Sequence, residues 1–290
     1  MSLTALDIGV LGLRALSFIA IFQAAGIFIF LKIFESQLIL SVDIIRKLGL
    51  IASVVAILLT VTYHFSVPAR FTGSFGGILD SSMQLLLMKS SAGIARAVRV
   101  AGLCLLVMAC LKGGHTQKTV GLLGVMMILL SFACMGHTAI HSQRWLVGFL
   151  LVFHLGVVMF WFGAFLPLYI VARDEMISQA GSLILKFSSI ALWLVPMILI
   201  AGVLISVALL PTFWSLFTPY GRLILVKVCG FGALMGLAAL NKWRFGPKIL
   251  AGHASSLTAL QRIVAVEWLL VAILLAFTSI MTTLFSPPEH

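Results

Sequence analysis

Ala133–Leu168 reads ACMGHTAIHSQRWLVGFLLVFHLGVVMFWFGAFLPL and holds three of the chain's seven histidines between two apolar runs. His137 and His141 are four residues apart, a spacing that puts both imidazoles on one face if the segment is helical. His154 lies ten residues past Arg144 in an otherwise apolar stretch. At the helical rise per residue that is about 15 Å, half the thickness of a bilayer's hydrocarbon core. An ionisable side chain at such depth is costly and marks a candidate functional position. The fold therefore turns on whether this stretch, and the rest of the chain, lies in lipid.

Composition says that it does. Hydrophobic residues make up 62% of the 290 positions, charged residues 9%, and mean hydropathy is +1.20. Soluble domains carry about 25% charged residues, and no part of this chain is polar enough for a separate soluble domain. The formal charge of +11 does not suggest nucleic acid, because the basic residues lie singly between apolar runs. They read as topology signals and lipid-headgroup contacts. Cys104, Cys110, Cys134 and Cys229 sit in or beside apolar runs and form no CxxC pair. The first apolar run reaches Leu31, too long for a cleavable signal peptide and without a small-residue cleavage site.

Eight runs are long enough for helices of about 20 residues. They lie near Val10–Leu31, Leu48–Ser66, Ile94–Leu111, Thr119–Cys134, Trp145–Ile170, Leu183–Leu210, Leu223–Leu240 and Ile263–Phe285. The expected fold is all-α: one polytopic membrane domain over residues 1–290 with eight transmembrane helices. The short fourth run is expected to extend through His137, and Pro196 to kink the sixth. The odd-numbered connections carry eleven Lys and Arg residues against eight elsewhere, which predicts cytoplasmic odd connections and both termini on the periplasmic side. The connection from Val67 to Gly93 then lies outside, with an apolar Met83–Met88 patch suited to the membrane interface.

In that orientation His64, His137 and His141 face outward and His154 lies below them. Imidazole and thioether suit soft metals, Cu(I) above all, so these histidines and, more weakly, Met135 form a candidate metal path. The competing reading makes His137 and His141 loop histidines that cap helices, and His154 a neutral ring hydrogen-bonded to a neighbouring helix. Trp161, two turns after His154, packs or walls the site, and Gly163 permits close helix approach. Lys227 lies deep enough to need snorkelling or a partner. Glu267 reads as a structural ion-pair partner near the cytoplasmic end of the last span, five residues after Arg262. Arg14 and Gln23 suit interhelical hydrogen bonds. A haem b cytochrome with His64 and His154 as axial ligands is the alternative from a different class. Neither HExxH, a nucleophile–base pairing, a phosphate loop nor paired carboxylates occur, so an enzyme is not expected.

The second half resembles the CopD/PcoD family of bacterial copper resistance proteins. The resemblance covers Cys134 to Pro288. It rests on GHTAIH, on His154 followed by Trp161, Gly163 and Pro167, on Tyr220-Gly221-Arg222 with Lys227, and on Glu267 to Pro288. The first 118 residues, with the first three spans, match only in their spans. The family implies an inner-membrane protein that moves copper, inward from the periplasm, alongside a periplasmic CopC-type partner. It carries over His137 and His154 as metal-handling residues. This chain lacks the Met-rich or His-rich periplasmic segments of many members. A copper chaperone or oxidase-assembly factor that binds without transporting is a further alternative.

Overall fold

The computed structural model describes residues 4–111, 115–210, 212–240, 242–243 and 254–286, and among these every regular element is helical. The helices are α1 (Ala5–Phe34), α2 (Val42–Thr72), α3 (Ser81–Lys89), α4 (Ser91–Leu111), α5 (His115–Ala133), α6 (His137–Ile140), α7 (Arg144–Asp174), α8 (Ile177–Leu209), α9 (Pro219–Leu240) and α10 (Ala254–Leu284). Seven are long and apolar enough to cross a membrane: α1, α2, α4, α7, α8, α9 and α10. The apolar part of α5 spans only Lys118–Ala133. The protein is thus a multi-pass membrane protein, with seven such helices among the described residues where the sequence suggests eight.

The helices that carry the apolar runs begin before them, and α1, α2 and α7 also end after theirs, because polar residues extend them. Thr4 and Asp7 form a capping box ahead of α1. The fourth run does not continue through His137. Gly136 adopts φ 72°, which breaks the helix after Ala133, and α6 starts afresh at His137. The Val67–Gly93 connection is more ordered than expected: α2 runs on to Thr72, and α3 follows with Asp80 capping its first N–H groups. Phe71, Phe75, Leu79, Leu86 and Met88 there are exposed, as suits an interfacial segment. α8 continues as helix through Pro196.

The bundle is organised around α1, which packs on α2 and α7 along its length and also meets α4, α5 and α10. Residues 21–28 are all buried, so every face is covered, as its all-round apolarity requires. With no hydrophobic drive between helices in lipid, close approach depends on small residues. At the α1–α7 crossing, a Cβ on Gly26 would meet Met159 O and a Cβ on Gly163 would meet the Gly26 backbone. Beside it, Pro167 lacks the N–H that the Gly163 carbonyl would otherwise accept within the helix. Gln23 Nε2 donates to that carbonyl at 3.1 Å, while Trp268 Nε1 donates to Gln23 Oε1 at 2.8 Å. One glutamine thus joins α1, α7 and α10. Gln23→Leu leaves a buried carbonyl and a part-buried indole N–H unpaired, and we expect a loss of about 2–4 kcal/mol, read as a lowered unfolding temperature in detergent.

Polar contacts define the two ends. At one, Arg46 and Lys118 pair with Glu35 at 2.7 and 3.0 Å. There Glu175, between α7 and α8, accepts from the N–H groups of Ile39, Leu40 and Ser41 at 3.0 Å each and from the Ser41 hydroxyl at 2.7 Å. This carboxylate caps α2 from another part of the chain. Burial alone would raise its pKa, but the Ser41 hydroxyl and the three N–H groups outweigh that and hold it below its ordinary 4.5. Because the folded value is depressed, the stabilisation is complete above the unfolded value and is lost as pH falls through and below 4.5. A fall in melting temperature between about pH 5 and 3 that is much smaller in Glu175→Gln is the expected result. At the other end Arg70 pairs with Asp7 at 2.9 Å, and Arg14 bonds the hydroxyls of Thr282 and Thr283. The start of α1 and the end of α10 therefore lie together, and Arg14, like Gln23, joins helices.

Candidate metal path

His154 sits on α7 with Nδ1 3.0 Å from the Ile198 carbonyl of α8. A carbonyl only accepts, so Nδ1 carries the proton, and in the neutral form of the ring the lone pair is on Nε2. A backbone acceptor that fixes tautomer and ring orientation is the usual support of a histidine metal ligand. Three counts agree on its depth. His154 is ten residues from the start of α7, Ile198 eleven from the end of α8, and Lys227 eight from the start of α9. At the helical rise these are about 12–16 Å from the end of the bundle where the helices meet. Gly202 makes room: a Cβ there would lie 3.4 Å from His154 Cε1. Lys227, one turn before the Phe231 that packs on Trp161, makes no ion pair among the described residues.

The other candidates are placed differently. His141 follows α6 in extended conformation, so it does not continue a helical face from His137. Its Nδ1 accepts from the Gln143 N–H at 3.0 Å, which leaves Nε2 to donate to the Ala208 carbonyl at 3.1 Å. Both nitrogens are engaged in closing the α6–α7 turn onto α8. His137 begins α6, but its side chain lies outside the described residues. Met135 Sδ accepts from Arg99 at 3.6 Å. His64 is elsewhere: α2 packs on α1 and α4, and α1 stands between it and α7. Both His64 nitrogens are buried without a hydrogen-bond partner. The structure thus gives no support to an axial pair of His64 and His154. Among the described residues no three His, Cys, Asp or Glu side chains gather as a metal site; the arrangement suits successive ligands along a path.

Trp161 is 5% exposed and packs on Phe165 and on Phe231 of α9, the aromatic-packing reading. Glu267 is 3% exposed and engaged with a neighbour, but its position differs from that expected. α10 begins nine residues before the apolar run, so Glu267 stands near its middle. All four cysteines are free.

Residues 5–145 match the family "Copper resistance protein D-like, N-terminal domain", and residues 182–281 match "Copper resistance protein D". The first half, which on its motifs matched only in its spans, is therefore also related. The copper transport protein CutJ of Bacillus subtilis is 30% identical over 168 residues, covering 56% of this chain and 30% of the relative. The chain thus aligns with less than a third of that protein's length. No solved structure matches. With both models falling on the same family and together reaching across the bundle, the chain belongs to the copper resistance protein D family.

Proposed function

We propose that this protein carries copper across the bacterial inner membrane, inward from the periplasm, with His154 Nε2 as the ligand at mid-depth. The observation that carries this is a neutral imidazole deep in a span, with its tautomer fixed by Ile198 and its lone pair left over. His137 and Met135, in the turn before α7, are the donors at the mouth, and His141 holds that turn against α8 and joins the path only by giving up its present bonds. α5 supplies the eighth crossing. In support, Lys118 at its start pairs with Glu35, while Phe132 in its last turn packs on Phe18, near the middle of α1 and about 25 Å back along that helix. Eight crossings put both termini on the periplasmic side, and a periplasmic CopC-type protein is the delivery partner. The role is in copper resistance and homeostasis.

Cu(I) uptake into sealed proteoliposomes tests this reading. Wild type is expected to transport, and His154→Gln to lose at least about tenfold, since a ligand that orders a soft metal is worth more than one such step. Unchanged flux in His154→Gln would refute the relay, and Cu(I) retention without flux would make the protein a chaperone. Lys227 places an ammonium beside the bound cation, which shortens its stay, as conduction needs. Lys227→Met is therefore expected to retain Cu(I) more tightly, measured by competition with a chelator.

A further inference from the structure

Three arginines converge near the Asp7 end, on the α2 and α4 side of α1, where Arg99 also bonds the Met135 sulfur. α1 and α2 are antiparallel with Ile27 against Gly49, and α4 returns alongside with Cys110 against the same glycine. Counting along these helices brings Arg14, Arg96 and Arg99 level with Tyr63 and His64. The contacts agree: Arg96 lies over the Tyr63 ring, and Arg14 and Arg99 lie over Phe18 and Phe132, whose ring centroids are 5.4 Å apart. Arg96 and Arg99 are 6% and 4% exposed.

Among the described residues these guanidiniums are short of acceptors and make no ion pair. Arg96 donates one bond, to Ala92 O of its own helix, and lies over the Tyr63 ring. Arg99 donates to the Ser131 hydroxyl and the Met135 sulfur and lies over Phe132 at 3.7 Å. Arg14 has the two threonine hydroxyls. Of the carboxylates described at this end, Asp7 is taken by Arg70, and Asp80 by the first N–H groups of α3 and the Ser82 hydroxyl. Facing them one turn apart on α2 are three buried atoms without partners: Thr60 Oγ1 and both ring nitrogens of His64, residues 2% and 8% exposed. Buried charge without a counter-ion is strongly unfavourable, and buried polar groups are normally paired.

We propose that the space between α1, α2 and α4 at Arg14, Arg96, Arg99, Thr60 and His64 binds a phosphate group. Guanidinium forks match its tetrahedral oxygens, and the Thr60 hydroxyl and a His64 N–H add neutral donors. The level of the cluster, five to eight residues into α4, is about 8–12 Å from that helix's start. That depth is within reach of a lipid headgroup drawn into the bundle as well as of free phosphate. The same charges oppose a metal cation at His64, so this histidine belongs to the anion site and not to the copper path. The inference does not rest on the transport reading.

The test is thermal unfolding of the full chain in two arms: inorganic phosphate against chloride at equal ionic strength in detergent, and nanodiscs of phosphatidylglycerol against phosphatidylcholine. Stabilisation by phosphate identifies the free ion as a ligand; stabilisation by phosphatidylglycerol alone identifies the headgroup; both outcomes support the site. Arg96→Gln is expected to weaken the response about tenfold, the scale of one charge-assisted pair, while exposed Arg144→Gln leaves it unchanged. If Arg96→Gln does not insert, the near-isosteric His64→Gln, expected to weaken the response severalfold, decides. No stabilisation in either arm, or a wild-type response in the variant that decides, overturns the proposal.

Discussion

Gly163→Leu should abolish the folded bundle, and Gly163→Ala should destabilise it by about 3 kcal/mol or more, at the upper end of overpacking costs. The reason is specific to the α1–α7 crossing, where a side chain at residue 163 would run into the Gly26 backbone, which has no rotamer to adopt. Separating the helices would also break the Gln23 bond to the Gly163 carbonyl, which Pro167 leaves without an intrahelical donor. α1 is the hub of the bundle, so the damage would not stay local. Gly9 and Gly12, with nothing within 4 Å of an added Cβ, are the controls, and alanine there is expected to be tolerated. Detergent-solubilised yield and melting temperature report the result. A Gly163→Ala protein as stable as wild type would show that α1 and α7 do not cross this closely.

The second large effect concerns the orientation of His154. Gly202→Ala adds a methyl in ordinary contact with the ring, at 3.4 Å from Cε1, and should leave copper handling nearly intact. Gly202→Leu fills the same space with a branched chain and should push the ring off the Ile198 carbonyl. We expect it to reduce Cu(I) binding about 10–100-fold, the range seen when a ligand's supporting acceptor is lost, although residue 202 itself cannot bind metal. Chelator competition on the two variants checks this. Equal affinity in both would mean that the Ile198 bond does not position the ligand.

Much of this architecture is legible in the amino-acid order. The apolar run Val10–Leu31 falls inside α1, and Trp145–Ile170 inside α7, because lipid demands long apolar segments and few residue types supply them. His154 stood out by depth alone. Glu267 was misplaced because Ser255, Ser256, Thr258, Gln261 and Arg262 look like a loop, yet they form the first turns of α10. That His64 stands apart from His154 is not legible in the sequence: which faces meet depends on how helices associate, and α1 comes between α2 and α7. Arg14, Arg96 and Arg99 read one by one as topology signals, since their convergence exists only once α1, α2 and α4 pack. Glu175 carries no motif at all; only the fold brings it to Ile39–Ser41.

The central claim is that His154 holds the metal. It is tested most directly by loading purified wild type and His154→Ala with Cu(I) under reducing conditions, desalting, and measuring copper content and the visible spectrum. The account predicts about one copper per wild-type chain, the stoichiometry of a single imidazole-centred site, little in His154→Ala, and no Soret band in either. Equal copper in the two proteins, or a haem spectrum in the wild type, would contradict it.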